Sequence, residues 1–321
     1  MEKLIEIQGL SKEFPIKKGF FNKQVGAIFA VNNINLDIYK GETVGLVGES
    51  GCGKSTAGRC IMGLIPPTKG TIKFNGIDIN RVNRKEKKLL RQKNQIVFQN
   101  PYSSLNPRMT IYESLKEPLI VHKNVFKGSK DQRIKALIDM VGISLDVLNR
   151  YPHEFSGGQR QRIVIARALA LNPEFIVADE PVSALDVSIQ AQIINLLEDL
   201  KNELRLTYLF ISHDLSVVKY VSNRVAVMYL GEIIEIAQVE QLYNTPLHPY
   251  TQALLSAIPI PDPDANTNKI LLNGDLPSPA NPPSGCKFHT RCGYVMEICK
   301  TIPPEQTEPQ LGHFVSCHLV N

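Results

Sequence analysis

The stretch Gly48-Glu-Ser-Gly-Cys-Gly-Lys-Ser55 decides the fold of this chain. It fits the pattern G-x-x-x-x-G-K-[ST], in which small residues let backbone N–H groups form a concave nest for phosphate. The run Glu42–Val47 predicts a buried strand entering this loop, and Ser55–Leu64 predicts the helix leaving it. We therefore expect Lys54 to contact the phosphates of a nucleoside triphosphate and Ser55 to ligate Mg²⁺. The other residues of this loop expected to contact the nucleotide are Gly48, Ser50, Gly51, Gly53 and Thr56.

A second stretch, Phe175-Ile-Val-Ala-Asp-Glu180, is a short apolar run that ends in two acids. Such a run predicts a central parallel strand, and open α/β sheets bind their ligands at the carboxyl ends of such strands. We expect Asp179 to hold Mg²⁺ through its water shell and Glu180 to act as the general base for the attacking water. The alternative is that these acids cap the helix that begins near Val187, but Asp186 is better placed for that role.

A third motif, Ser156-Gly-Gly-Gln159, opens the strongly apolar helix predicted at Arg160–Leu171. Serine at a helix start is ordinarily a cap, but two adjacent glycines also leave room for another molecule to approach the exposed N–H groups. A stand-alone phosphate-binding enzyme does not need this motif. Its position shortly before the acidic strand predicts that phosphate is contacted from two directions, by two subunits that face each other.

These motifs, in this order, resemble the nucleotide-binding subunits of ABC transporters, over about Ile5–Gln252. The resemblance implies that Ser156, Gly157, Gly158 and Gln159 reach the γ-phosphate of ATP held by the opposite subunit. It identifies Ser183-Ala-Leu-Asp186 with the D-loop, so that Asp186 also belongs to the nucleotide site. Two departures, Phe155 and Ala178 where leucines are common, keep their apolar character and leave ATP hydrolysis as the expected activity.

The same resemblance assigns three further side chains. Gln99 matches the glutamine that touches Mg²⁺ and the membrane subunit, and His213 in Phe210-Ile-Ser-His-Asp214 matches the histidine that contacts the γ-phosphate. Phe14 stands where the family places an aromatic ring under adenine. Because a basic loop is inserted at Lys17–Gly26, Phe29 remains an alternative for that contact.

The C-terminal segment indicates a subfamily. His248-Pro-Tyr-Thr-Gln-Ala-Leu-Leu255, a proline-rich stretch and Cys286-Lys-Phe-His-Thr-Arg-Cys292 resemble the C-terminal region of oligopeptide and dipeptide importer ATPases. Within that group, the Lys17–Gly26 insertion and Gly48–Gly63 resemble the F-type subunit, the second ATPase of the pair. The implied partners are a second ATPase subunit, different or identical, two transmembrane permease subunits and an extracytoplasmic solute-binding protein.

Cysteine placement predicts a metal site. Of six cysteines, four crowd into the C-terminal end, at Cys286, Cys292, Cys299 and Cys317. Disulfides are rare in the cytosol, so clustered thiols in a segment with little apolar core suggest a metal that holds it together. The spacing leaves zinc and iron–sulfur open, and the family resemblance favours a [4Fe–4S] cluster with a structural role. The alternatives are unligated thiols, or a site in which His289, His313 or His318 acts as a ligand.

Composition is that of a globular protein, with 43% hydrophobic and 21% charged residues and a net charge of +5. No run approaches the about 18 apolar residues that span a bilayer, and the charged start is unlike a signal peptide. We therefore expect a peripheral protein at the cytoplasmic face of the membrane. The basic run Arg81–Lys93 has no aromatic residue for base stacking, so it predicts a solvated helix face and no nucleic-acid partner.

The expected fold is α/β, a P-loop NTPase core of ABC type. We expect an ATPase domain at residues 1–245, with an N-terminal antiparallel β subdomain and a helical lobe at about 83–165, and an irregular Pro/Cys-rich extension at 246–321. The expected function is ATP hydrolysis that powers import of di- or oligopeptides, or of related small solutes such as nickel complexes. The alternatives are a soluble ABC ATPase acting on nucleic acid or protein complexes, and a non-hydrolysing ATP binder, against which the intact Glu180 and His213 argue.

Overall fold

The computed structural model describes residues 2–19, 23–122, 128–259, 269–272 and 274–320. All residues predicted for the nucleotide and cysteine sites lie in these ranges. Residues 20–22 of the predicted insertion lie outside them, as do residues 260–268 and 273 of the proline-rich stretch. Among the helices of these ranges, none is long and apolar enough to cross a membrane.

Twelve strands are formed by the described residues. They are β1 (Lys3–Lys18), β2 (Lys23–Tyr39), β3 (Thr43–Val47), β4 (Lys69–Phe74), β5 (Ile77–Asp78), β6 (Asn94–Val97), β7 (Phe175–Asp179), β8 (Thr207–Ile211), β9 (Arg224–Tyr229), β10 (Glu232–Gln238), β11 (Thr307–Gln310) and β12 (His313–Val315). The insertion was predicted as a loop, and this is wrong for most of it: Lys17–Lys18 continue β1, and Lys23–Gly26 begin β2.

Eleven α-helices lie within the same ranges. They are α1 (Lys54–Ile61), α2 (Arg84–Lys93), α3 (Pro101–Ser104), α4 (Ile111–Val121), α5 (Lys130–Met140), α6 (Gly157–Leu169), α7 (Val187–Leu204), α8 (Leu215–Val221), α9 (Val239–Asn244), α10 (Pro249–Ser256) and α11 (Glu297–Thr301). The basic helix α2 has no buried residue, as the sequence predicted for a solvated face.

The described chain divides into two compact units. The first comprises the residues up to Lys3, Ile38–Glu42 and Arg81–Ile211. In it, β6, β7 and β8 form parallel pairs with β7 in the centre. Every residue of β7 and β8 is buried, as expected for parallel strands covered on both faces. Because β7 ends at Asp179, this carboxylate lies at the carboxyl end of the central strand.

Helices α4, α5 and α6 pack against one another in the first unit. Their apolar faces supply buried side chains such as Ile111, Leu137 and Ile163. The start of α4 is fixed by a capping box in which Thr110 and Glu113 satisfy each other's backbone N–H groups. Helix α6 packs against α4, α5 and α7, so the motif at its start rests on a rigid base.

The second unit comprises Leu4–Asp37, Thr43–Asn80 and the chain from Ser212 onward. It contains the sheet β2-β1-β4-β5, in which β4 pairs antiparallel with both β1 and β5, as predicted for the N-terminal β subdomain. It also contains the order β11-β12-β10-β9-β3, in which β3 and β9 run parallel and the remaining pairs antiparallel. The C-terminal hairpin of β11 and β12 therefore continues the strands that support the phosphate-binding loop. The predicted domain boundary at residue 245 stays a prediction.

Candidate functional site

The phosphate-binding loop is built as the sequence predicts, between buried strand β3 and helix α1. Gly48 and Gly53 have φ angles of 148° and 109°, and a Cβ at these positions would overlap the carbonyl oxygens of Met228 and Ala30. Only glycine suits both the backbone conformation and the close approach. These two glycines therefore let the backbone of the loop pack closely against the carbonyl groups of Met228 and Ala30.

Lys54 lies in this loop with only 4% of its surface exposed. Its ammonium donates to the carbonyl oxygens of Gly48, at 2.7 Å, and Glu49, at 3.0 Å. Helix α1 begins at Lys54 after Gly53, which has no side chain to cap the first turn. A buried ammonium beside a helix start that no side chain caps makes a site for an anion.

Gln99 and Glu180, predicted separately, come together in the first unit. The Gln99 Nε2 donates to Glu180 Oε2 at 2.6 Å. Glu180 has a φ of 48°, unusual for a residue other than glycine, and its N–H donates to the carbonyl of Ile211 at 2.9 Å. Strained backbone of this kind persists where the surroundings hold it, often at functional sites. Asp179, directly before Glu180, is buried at the end of β7.

Ser156 caps helix α6 as predicted, with Gln159 as its capping-box partner. The Gln159 N–H donates to Ser156 Oγ at 3.3 Å, and the Ser156 N–H donates to Gln159 Oε1 at 3.2 Å. The two glycines also have a packing role that the sequence did not reveal. A Cβ on Gly158 would lie 2.5 Å from Ile189 Cγ2, and one on Gly157 would lie 3.1 Å from Leu185 Cδ2. The glycines therefore let α6 approach the start of α7.

Two further predicted residues, Asp186 and His213, lie at or next to the start of a helix. Asp186 occupies the N-cap position of α7, but its side chain makes no capping hydrogen bond, so its predicted role as a side-chain cap is wrong. Its carbonyl oxygen instead accepts from the N–H groups of Ile189 and Gln190. His213 is exposed in the second unit, directly before Asp214, whose carboxylate caps α8.

The candidate adenine contacts both lie in the N-terminal sheet. Phe14 is in β1 with 37% of its surface exposed, and the Lys12 ammonium lies 5.1 Å from its ring centroid. Phe29 is in β2, and its N–H donates to the Pro279 carbonyl at 3.1 Å. The exposed ring of Phe14 is open to stacking, and its role at adenine stays a prediction.

The four C-terminal cysteines are brought near one another. Burial raises the pKa of the Cys286 thiol to about 11, with further contributions from Cys299, Cys317 and Cys292. The Cys286 N–H also donates to the Cys299 carbonyl at 2.8 Å. Four neighbouring thiols suit a soft metal such as iron or zinc. Across the described ranges, however, no three or more His, Cys, Asp or Glu side chains are placed so that they could hold a metal ion.

The three histidines considered as alternative ligands contact other groups. His289 Nδ1 lies 2.9 Å from the Cys286 carbonyl oxygen, and His318 Nε2 lies 2.9 Å from the Ile302 carbonyl oxygen. His313 is fully buried, with Nε2 2.8 Å from Glu235 Oε1. Glu235 also accepts from the N–H groups of Leu247 and His248. This buried carboxylate joins β10, β12 and the start of α10, and no local pattern in the sequence predicted it.

The His248-Pro-Tyr motif is structural. His248 Nδ1 accepts from the Tyr250 N–H at 3.0 Å and caps α10, and burial lowers the pKa of His248 to about 4. The Tyr250 hydroxyl in turn accepts from the Glu49 N–H at 2.9 Å. The sequence suggested a subfamily from this motif, but it did not reveal the contact with the phosphate-binding loop.

Comparison with known proteins agrees with this geometry. A family model described as "ABC transporter" matches residues 31–183, and one described as "Oligopeptide/dipeptide transporter, C-terminal region" matches residues 234–299. This chain belongs to the ABC transporter ATP-binding family, as a P-loop α/β ATPase that uses ATP and Mg²⁺.

Relatives match over nearly the whole chain. The oligopeptide transport ATP-binding protein AppF of Bacillus subtilis (strain 168) is 53% identical, covering 99% of this chain and 98% of the relative. The oligopeptide transport ATP-binding protein OppF of Salmonella typhimurium is 50% identical, covering 98% and 95%. Among solved structures, the ATP-binding cassette MJ0796, a dimer bound to ADP and Pi, is 31% identical with a TM-score of 0.64, covering 74% of this chain and 99% of that one.

Proposed function

We propose that this chain is the ATP-hydrolysing subunit of an ABC transporter that imports di- or oligopeptides, or related small solutes such as nickel complexes. The observation that carries this proposal is the whole-length similarity to proteins named as oligopeptide transport ATP-binding proteins, which extends through the C-terminal region. The subunit binds peripherally at the cytoplasmic face of the membrane. Two transmembrane permease subunits and an extracytoplasmic solute-binding protein complete the transporter.

The chemistry we propose follows from the two groups of residues. Lys54 and the loop N–H groups bind the phosphates, Ser55 and Asp179 hold Mg²⁺, and the metal neutralises charge that develops on the phosphates. Glu180 accepts a proton from the attacking water. The hydrogen bond from Gln99 supports this role, because it orients the Glu180 carboxylate.

A second subunit completes the proposed site. Ser156, Gly157, Gly158 and Gln159 contact the γ-phosphate bound by the partner, with Asp186 nearby, and His213 contacts the γ-phosphate of its own subunit. The dimeric cassette among the structural relatives supports an arrangement in pairs. A different ATPase subunit is the preferred partner, with a second copy of this chain as the alternative, and mixing the purified candidates with ATP distinguishes these pairings.

Transport and hydrolysis can be tested together in proteoliposomes that hold the whole transporter. Glu180→Gln should retain ATP binding while hydrolysis and peptide uptake fall by on the order of 10²-fold or more. Glu174→Gln is a matched control, because Glu174 forms a surface pair with Lys93 before β7. Near-normal hydrolysis in Glu180→Gln removes Glu180 from the mechanism. ATP hydrolysis without peptide-dependent uptake contradicts the proposed transport function.

We also propose that Cys286, Cys292, Cys299 and Cys317 ligate one metal centre, a [4Fe–4S] cluster with zinc as the alternative. The proximity of Cys286 to the other three thiols, each of which helps to raise its pKa, supports this proposal, and the centre has a structural role. Protein purified without oxygen should contain about four iron and four sulfide per chain. One zinc per chain contradicts the cluster, and metal-free protein with four readily alkylated thiols contradicts any metal centre.

A further inference from the structure

The C-terminal segment makes a side-chain contact with the phosphate-binding loop. Arg291 Nη1 donates to Glu49 Oε2 at 2.7 Å, and Arg291 Nη2 donates to Glu49 Oε1 at 3.0 Å. The Tyr250 hydroxyl accepts from the N–H of the same glutamate. We call Glu49, Tyr250 and Arg291 the Glu49 clamp. It holds one loop residue by its side chain and its backbone together.

The clamp is rigid because its C-terminal half is buried. Arg291 is 8% exposed, Tyr250 is fully buried, and Phe288 is 2% exposed. The ring of Tyr229 lies 4.8 Å from that of Tyr250 and 5.3 Å from that of Phe288, so these three rings form an aromatic cluster that holds Tyr250 in place. A bidentate arginine–carboxylate pair in such surroundings fixes orientation as well as charge, which lysine cannot reproduce.

The charge of Glu49 would otherwise oppose nucleotide binding. Glu49 lies in a loop that binds a polyanion, and its carbonyl oxygen accepts from the Lys54 ammonium. An unpaired carboxylate there would repel phosphate and compete for that ammonium. Arg291 offsets this charge, and it stands directly before Cys292, inside the segment that carries two of the four clustered cysteines.

We propose that Arg291 is a positioning residue for ATP binding: by neutralising and orienting Glu49, it makes the affinity of the phosphate-binding loop depend on the folded cysteine segment. This inference deepens the proposed ATPase function and rests on it. Arg291 itself does not touch the nucleotide. Its effect passes through Glu49, so it should disappear when Glu49 carries no charge.

The test is a cycle of three variants in the assembled transporter, with the Kd for ATP and the KM and kcat of hydrolysis measured for each. Arg291→Met should raise Kd and KM about tenfold, because a charge-assisted bidentate pair is lost and a carboxylate is left unpaired. Its kcat should change little, because Glu180 is intact. Glu49→Gln should bind ATP at least as tightly as the unaltered protein. The double variant E49Q/R291M should recover ATP affinity to within about twofold.

Rescue separates this role from a merely structural one. If Arg291 only supports the fold, Glu49→Gln cannot restore affinity, and an unrescued double variant overturns the proposal. Unchanged Kd and KM in Arg291→Met overturn it as well. The increase in Kd should also be larger at low salt, since it arises from repulsion between charges.

Two controls keep the outcome specific. Lys300→Met removes a charge next to Cys299, where Lys300 forms an exposed pair with Glu297, and it should leave Kd unchanged. Lys54→Ala should abolish ATP binding. If it does so while the Arg291 variants behave normally, the further inference fails and the proposed ATPase function stands. If Arg291→Met does not fold, Glu49→Arg is the second variant. Its arginine would face Arg291, and repulsion between the two cations should lower the affinity for ATP. Adding Arg291→Glu should restore that affinity.

Discussion

The phosphate-binding loop and the C-terminal extension both belong to the second unit, but they are held in different ways. The loop is fixed by its own backbone, since Gly48 and Gly53 fit where side chains would overlap neighbouring carbonyls. The extension is held by the pairing of β12 with β10 and by side chains that reach distant partners, as in the Glu235–His313 and Glu49–Arg291 pairs. A loop that depends on backbone conformation tolerates few substitutions at its glycines. An extension that depends on paired side chains loses stability when one partner of a pair is removed.

The largest expected effect tests the loop. Gly53→Ala should lower ATP affinity by on the order of 100-fold, because its Cβ would overlap the Ala30 carbonyl and its φ of 109° is strained for alanine. Calorimetric titration with ATP measures this. Gly76→Ala is the matched control: its φ of 76° is also positive, but nothing lies near its Cβ position, so it should leave ATP affinity unchanged. Equal affinities in both variants would contradict a loop fixed by backbone packing.

This contrast also explains what the sequence could predict. The strand before the loop, helix α1 and the serine cap of α6 follow from local patterns, and each is confirmed within a few residues. The Glu49–Arg291 pair joins residues 242 positions apart, and no periodicity or spacing indicates such a partner. Gln99 and Glu180 were likewise predicted only in separate roles, and the hydrogen bond between them was not predicted. Side-chain pairing between distant segments depends on the packed structure, so sequence patterns do not reveal it.

The second prediction tests the extension. Glu235→Ala should lower the free energy of unfolding by about 3 kcal/mol, because it leaves His313 and two backbone N–H groups buried without their acceptor. Urea unfolding and the protease sensitivity of the segment after residue 245 measure the loss. Glu2→Ala removes an exposed pair with Lys40 and should cost far less. A stability equal to that of the unaltered protein would mean that the extension does not depend on this carboxylate.

The third prediction separates packing from ligand contact at Gly158. Gly158→Ala should destabilise the protein by about 2 kcal/mol, because the new methyl group presses on Ile189. Adding Ile189→Ala should restore most of that stability by removing the contact. ATPase activity of the assembled transporter should stay several-fold low in the double variant, if Gly158 also faces the partner's nucleotide. Full recovery of both properties would leave Gly158 with a packing role alone.

The smallest expected effect is the pH dependence of the extension. Burial lowers the pKa of His248 from 6.5 to about 4, so the unfolded chain binds the proton more readily than the folded protein. Stability from this group is therefore present above pH 6.5 and is lost as pH falls toward 4, by about 1 kcal/mol between pH 6.5 and 5.5. His248→Asn can still cap α10 through its side-chain oxygen, and it should remove this part of the pH dependence. Urea unfolding of both proteins across this pH range decides the matter, and identical slopes would show that protonation of His248 does not contribute.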